Sequence, residues 1–324
     1  MARKRARTPR KSKNFVLKLP KFVTLPQVHR LIERAQPILF ARKPFVRFTV
    51  DARELAHISP VGLATLVSIV RHAMTNGHYV KGTYRHPEKR HVRTYLSRMN
   101  FGRLIGLQDV EHPRRSRSRG RFRELVEVGT AEDCSKVADQ LRRVLTKQVA
   151  LTDVVLNNVT YCVLELLENV IHHAQSSTNG VACAQAYPKS HAVELAIVDC
   201  GIGVRASLAK NPEHAPRARS DADAILLALQ KGVTSTPERN TGEGLFFVAE
   251  LMTEAGRMRV QSGEAMLAVS RRAGMVTKPA PAWPGTLVGL RFEPKRAVSI
   301  SEIFGRFTRL DEESGLFLLS DDSG

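Results

Sequence analysis

Apolar and polar positions along this chain switch repeatedly between the period of a strand and that of a helix. NFVLKLP (14–20) reads as a strand, and LPQVHRLIERAQPIL (25–39) spaces its apolar residues like a helix with one buried face. PFVRFTVDAR (44–53) alternates like a strand and ends at an acid. PVGLATLVSIVRHAMTNG (60–77) is a helix, with Pro60 near its first turn and Gly77 at its end. HYVKGTY (78–84) is a short strand, and PEKRHVRTYLSRMNFGRLIGL (87–107) is a helix followed by a short returning segment. Strands alternating with helices predict a small α/β domain over residues 14–110.

The pattern resumes with FRELVEV (122–128) as a strand and CSKVADQLRRVLTKQ (134–148) as a helix. Asp153 to Ala174 is a long, mostly apolar helix. VACAQAYP (181–188) and AVELAIVD (192–199) are strands joined by a short polar connection. A polar stretch with Gly, Pro and Thr runs from Gly201 to Thr241, and Gly244 to Ala255 is a helix. RMRVQSG, AMLAVSRR and TLVGLRF predict three further strands. The chain divides into a basic tail (1–13), a first domain (14–110), a basic linker (111–121), a second domain (122–293) and an acidic, partly ordered tail (294–324).

Composition narrows the class. A chain of 324 residues with 43% hydrophobic residues supports two globular cores. No apolar stretch reaches the length of a membrane span, and MARKRARTPRKSK is followed by no apolar signal core. A soluble, cytoplasmic protein without membrane attachment is expected. Cys134, Cys162, Cys183 and Cys200 form no C-x-x-C pair, so they read as small buried thiols in a reducing compartment. The net charge is +19. Seven Lys or Arg lie in residues 1–13 and six Arg in residues 112–123, with no acid in either segment. On this count the remainder carries +6, so the folded parts are expected to be only mildly basic. The two clusters could attract nucleic acid or an acidic partner.

Three motifs carry the chemistry. In ELLENVIHHA, Glu165, Asn169 and His173 recur every four residues and share one helical face. A carboxylate, an amide and an imidazole in a core-facing stripe need partners, which Mg²⁺ and phosphate oxygens would supply. In IVDCGIGV, an apolar strand ends at Asp199, and Gly201 and Gly203 let the backbone approach a ligand. A carboxylate there can accept a hydrogen bond from an exocyclic amine such as that of adenine. In KGVTSTPERNTGEGLFFV, Thr241, Gly242, Glu243 and Gly244 precede a helix whose N-terminus suits phosphate. PGTLVGLRF, with Gly285 and Thr286, returns a strand to the sheet.

In this order and context the motifs over 122–292 resemble the GHKL superfamily of gyrase-type topoisomerases, heat-shock chaperones, sensor histidine kinases and mismatch-repair proteins. ELLEN is similar to its N-box, DCGIG to its first glycine box and TGEGL to its second; GVTST resembles the start of a bacterial ATP lid. The resemblance implies a Bergerat-type α/β sandwich, a mixed sheet covered by helices on one face, that binds ATP with Mg²⁺. It implies Asn169 as Mg²⁺ ligand, Asp199 as reader of adenine and Glu165 as general base. Gly201, Gly203, Gly242 and Gly244 would shape the pocket, with Thr241, Leu245 and Thr286 beside the nucleotide. His173 matches a histidine of the anti-sigma-factor kinase branch and is read as packing beneath the site.

FTVDARELAHISPVGLATLVSIVRHAMTNG and NFGRLIGL resemble a STAS domain, the fold of anti-sigma-factor antagonists. Antagonists carry a phosphorylatable Ser or Thr within D-S-S-G. Here the stretch is Ser59-Pro60-Val61-Gly62, with proline at the acceptor position. Residues 110–150 hold no phosphoacceptor hairpin of a sensor kinase, and the segment after Phe292 is too short for the extra domain of gyrase or chaperone types. An ATPase or anti-sigma-factor-type serine/threonine kinase in partner-switch signalling is therefore expected. Its partner would be a regulatory protein or its own STAS-like half, with a flap at 204–241 ordered by the γ-phosphate and a homodimer left open. The alternative is a nucleotide-gated module that binds nucleic acid or protein with little catalysis.

Overall fold

The computed structural model describes residues 14–106, 122–148, 153–190, 192–235 and 242–293. The tails at 1–13 and 294–324 and the linker at 111–121 lie outside the described residues. The N-terminal half runs β1 (Asn14–Lys18), β2 (Phe22–Val23), α1 (Val28–Leu39), β3 (Phe45–Asp51), β4 (His57–Ile58), α2 (Pro60–Thr75), β5 (Tyr79–Arg85), α3 (Arg90–Arg98) and α4 (Phe101–Leu104). Strands β1, β3 and β5 form a parallel sheet in that order, and β2 pairs in parallel with β4. Helix α2 begins at Pro60 and is followed by Gly77 in the left-handed region, as its sequence predicts. Twelve of its sixteen residues are buried, including every position from Pro60 to Val70. A helix apolar on all sides needs partners on more than one face.

The second half supplies one of those partners. It runs β6 (Phe122–Val128), α5 (Ala131–Gln148), α6 (Asp153–His173), β7 (Gly180–Tyr187), β8 (Ala192–Val198), α7 (Gly203–Leu208), α8 (Asp221–Ala228), α9 (Gly244–Ala255), β9 (Gly256–Ser270) and β10 (Gly274–Phe292). Its five-stranded sheet has the order β6-β7-β8-β10-β9. The α/β sandwich is as expected, but the sheet is antiparallel at every pairing instead of mixed. The cause is connectivity: two successive helices, α5 and α6, return the chain to the end it left, so β7 runs against β6. Short turns then join β7 to β8 and β9 to β10.

Two further expectations change. RMRVQSG and AMLAVSRR are one strand, β9, and residues 274–285 extend β10, so two long strands replace three short ones. Gly263 lies inside β9 opposite Trp283, where the register shifts in a bulge. The polar stretch 201–235 contains α7 and α8, the latter capped by Ser220, whose Oγ accepts the Asp223 N–H at 3.1 Å.

Alternate residues of the central strands go to different cores. Ala182, Ala184, Val193, Leu195 and Ile197 face α5, α6 and α9. Val181, Cys183, Ala196 and Val198 join Leu287 and Trp283 in a core shared with α1, α2 and the rest of the N-terminal half. All seven residues of β8 are therefore buried, including Glu194, which pairs with Arg291 at 2.7 Å. The second half's own helices cover one face of its sheet, and the N-terminal half covers the other. Polar contacts reinforce the junction: Cys183 Sγ donates to Pro60 O at 3.4 Å, Gln36 Nε2 to Ala282 O at 2.8 Å, and Arg71 pairs with Glu127. Among the described residues, Cys134, Cys183 and Cys200 are free and buried, and no helix is long and apolar enough to cross a membrane.

Candidate functional site

The long helix α6 places Glu165 and Asn169 one turn apart, both partly buried, on the wall of a cleft. The facing wall comes from the sheet: Ile197 and Asp199 at the end of β8, and Thr286 and Val288 of β10. Gly203, Val204 and Ser207 of α7 close one side, while Gly242, Gly244 and Leu245, at the start of α9, close another. The cleft leaves about 110 Å³ of space for water-sized groups and opens to solvent at its mouth.

Asp199 is the most constrained group in the site. It is 4% exposed, and its Oδ1 accepts the Gly201 N–H at 2.8 Å. Its own N–H donates to Thr286 O at 2.9 Å, and its carbonyl accepts Trp283 Nε1–H at 2.9 Å. Burial pushes its carboxyl up to about 7, against the lowering effect of the backbone hydrogen bonds from Gly201 and Thr286. A buried carboxyl with spare acceptor capacity at the floor of a cleft is suited to a neutral N–H donor.

Two glycines hold the walls together. Gly285 has φ +98, and a Cβ there would stand 2.4 Å from Asp199 Oδ1. A Cβ at Gly244 would stand 2.3 Å from Glu165 Cβ, so α9 begins hard against the α6 side chain. The N-terminus of α9 thus lies beside the Glu165–Asn169 face.

Of the residues singled out from sequence, Glu165, Asn169, Asp199, Gly203, Gly242, Gly244, Leu245 and Thr286 line this one cleft. Gly201 sits behind it: its Cβ would be 1.8 Å from Ala174 O, and Ile202 N–H donates to that same carbonyl at 2.7 Å. Gly201 thus lets the turn press on the end of α6. Thr241 and the side chain of His173 lie outside the described residues. Sequence reasoning passed over Ser207, Thr234 and Ser235, which add hydroxyls to the lining. The Oγ atoms of Ser207 and Ser235 are 3.0 Å apart. The run of hydroxyl residues in GVTST was the available signal.

Residues 129–270 match the family model of the histidine kinase-like ATPase domain. The match supports a GHKL-type domain over these residues. The matched span of this ATPase domain takes in α6, the Asp199 turn and α9, and stops before β10, which brings Gly285 and Thr286. It does not reach the N-terminal half. Comparisons with curated proteins and with solved structures find no match.

Proposed function

We propose that this chain is an ATP-binding regulator whose GHKL-type domain hydrolyses ATP or phosphorylates a serine or threonine of a partner. The observation that carries the reading is the convergence of three separated motifs, ELLEN, DCGIG and TGEGL, on one cleft. The residues fit the nucleotide. Asp199 offers an acceptor to the adenine amine, and the α9 N-terminus offers N–H donors to phosphate. The Asn169 amide oxygen suits a hard cation such as Mg²⁺, which is usually held by one or two protein oxygens together with phosphates. Glu165, one turn away, is assigned as general base toward water or a hydroxyl.

The N-terminal half is read as a STAS-like module, and its packing on the rear face of the ATPase sheet supports a partner switch contained in one chain. Ser59, beside the proline at the usual acceptor position, is 1% exposed and its Oγ finds no hydrogen-bond partner. Phosphorylation at this helix start is therefore left out of the proposal.

The test is calorimetric titration of MgATP into the wild type, Asn169→Ala and Glu165→Ala, with phosphate release measured on each. Binding should be lost in Asn169→Ala, while Glu165→Ala should bind but not turn over. No binding to the wild type would overturn the reading. Normal turnover by Glu165→Ala would overturn the assignment of the base.

A further inference from the structure

The excess positive charge is not confined to the tail and linker. Residues 14–106 carry sixteen Lys and Arg against four Asp and Glu, whereas residues 124–293 carry seventeen against nineteen. The expectation of mildly basic folded parts is thereby corrected: a strongly basic N-terminal half had been averaged with a slightly acidic ATPase half.

Much of this charge is gathered on one face of the β1–β3–β5 sheet. The Thr49 and Thr83 hydroxyls touch at 2.7 Å, which places both side chains on the same face. Two residues onward, Asp51 and Arg85 share that face, with Arg85 Nη1 3.2 Å from Asp51 Oδ2. Two residues back lie Arg47 and Lys81, in register with each other, and β1 adds Lys18, in register with Asp51. The opposite face, through Leu17, Phe48 and Val50, belongs to the shared core. Lys18, Arg47, Lys81 and Arg85 are all exposed.

Asp51 lies beneath this face and is 6% exposed. It holds Arg53 through two bonds, from Nε at 2.9 Å and from Nη2 at 2.7 Å, in addition to Arg85. The Arg53 and Arg85 side chains are nonetheless 52% and 50% exposed, and each keeps donors beyond those given to Asp51. A buried carboxylate thus pre-orients two half-exposed guanidinium groups, and a pair of hydroxyls stands between them and the Arg47–Lys81 pair. Arginine forks and lysines are the groups that contact nucleic-acid phosphates.

We infer that this sheet face binds the phosphate backbone of a nucleic acid, without base readout. An anionic membrane is the less suitable partner, because the face exposes Val16, in register with Thr49, but offers no aromatic or leucine wedge among its cations for insertion. Base-specific recognition is not part of the inference, since no aromatic side chain stands between the cations to stack on bases. The inference does not depend on the nucleotide reading of the ATPase cleft.

Fluorescence anisotropy with the full-length protein tests it, using a labelled 20-base single strand and a labelled 20-base-pair duplex across a salt series. The comparison is wild type against Arg47→Glu/Lys81→Glu and the milder Arg47→Gln/Lys81→Gln, with tail and linker intact. Each oligonucleotide should lose about tenfold or more in affinity at 0.1 M salt in the Glu variant. For the duplex, the salt slope should fall by roughly two, about 0.9 per phosphate contact removed. Arg271→Glu/Arg272→Glu places the same charge change on the ATPase half and should stay within about twofold of wild type. Thermal melts confirm that the variants are folded, and the Gln pair gives the reading if the Glu pair is not. Unchanged binding by the face variants would assign binding to the tail and linker and overturn the inference, as would an equal loss in the Arg271/Arg272 variant. Binding to phosphatidylserine vesicles with no binding to either oligonucleotide would overturn it in favour of a membrane.

Discussion

The indole of Trp283 donates its Nε1–H to the backbone carbonyl of Asp199 at 2.9 Å. Trp283 is 1% exposed and belongs to the core shared with the N-terminal half, while Asp199 forms the floor of the ATPase cleft. One hydrogen bond thus joins the packing of the N-terminal half to the position of a cleft carboxyl. Trp283→Phe should fill most of the same space but leave the Asp199 carbonyl without this donor, at a cost of about 1–3 kcal/mol. Urea unfolding checks the stability loss. On the proposed reading, MgATP affinity should fall as well. Trp283 is also the single tryptophan of the chain, so its fluorescence should change when nucleotide is added to the wild type.

Asp199 predicts an inverted pH dependence. Its carboxyl is pushed up to about 7 in the folded chain from an ordinary value of 3.8, so folding favours the neutral form. The stability this contributes is fully present below about pH 4 and is lost as the pH rises through about 7. Asp51 and Glu127 act in the opposite sense. Arg53 and Arg71, respectively, hold their carboxyls below the ordinary range, and their contribution is lost in acid. The difference between the melting profiles of wild type and Asp199→Asn isolates the Asp199 part. The Asn variant should gain on the wild type from about pH 4 to about pH 7 and level off above that. MgATP affinity of the wild type should rise from pH 5 to pH 8, because only the ionised carboxylate offers full acceptor capacity to an amine.

Much of this architecture is legible from local pattern. Pro60 and Gly77 mark the limits of α2, and the spacing of four in ELLEN places Glu165 and Asn169 on the cleft side of α6. What escaped was decided by distant partners. The apolar run of β8, interrupted only by Glu194, points to burial of both its faces, but not to the N-terminal half as the cover of one of them. Gly263 reads locally as a turn, and only its partner Trp283 across the ladder makes it a bulge within one strand. Helices α7 and α8 are too short for a periodic signal and are fixed by burial of a few residues such as Leu208, Ala224 and Ile225. The basic sheet face was hidden because alternation distributes its charges over three separated strands.

Gly285 gives a steric test of the cleft. An alanine there must adopt φ near +98 and would put its Cβ 2.4 Å from Asp199 Oδ1 and 2.4 Å from Gly201 N. Left-handed strain alone costs about 1–3 kcal/mol. The nearer consequence is displacement of the Asp199 carboxyl, so Gly285→Ala should lose MgATP binding while retaining a cooperative, lowered melt. Calorimetry and thermal denaturation on the same sample check both parts. Gly274→Ala, at the turn between β9 and β10, is the control. It has a positive φ of +63 with nothing within 4 Å of the added carbon, so it should show the strain without the loss of binding.

The shared core predicts that the halves do not separate cleanly. Ala196 is fully buried on the β8 face that meets the N-terminal half, with Cys183 in register beside it on β7. Ala196→Glu would force a carboxylate and its larger volume into this packed core, where overpacking and burial of a charge together cost several kcal/mol. The full-length variant should lose its cooperative melt or precipitate. Residues 122–324 expressed alone should show the same defect for a different reason: Val181, Val198, Leu287 and Trp283 would pass from core to solvent as one apolar patch. Binding of a hydrophobic dye, together with light scattering, checks both proteins. A monomeric, dye-silent 122–324 fragment that melts cooperatively would show that the ATPase sheet does not need its N-terminal cover. In that case the proposed partner switch would have a route in undocking of the two halves.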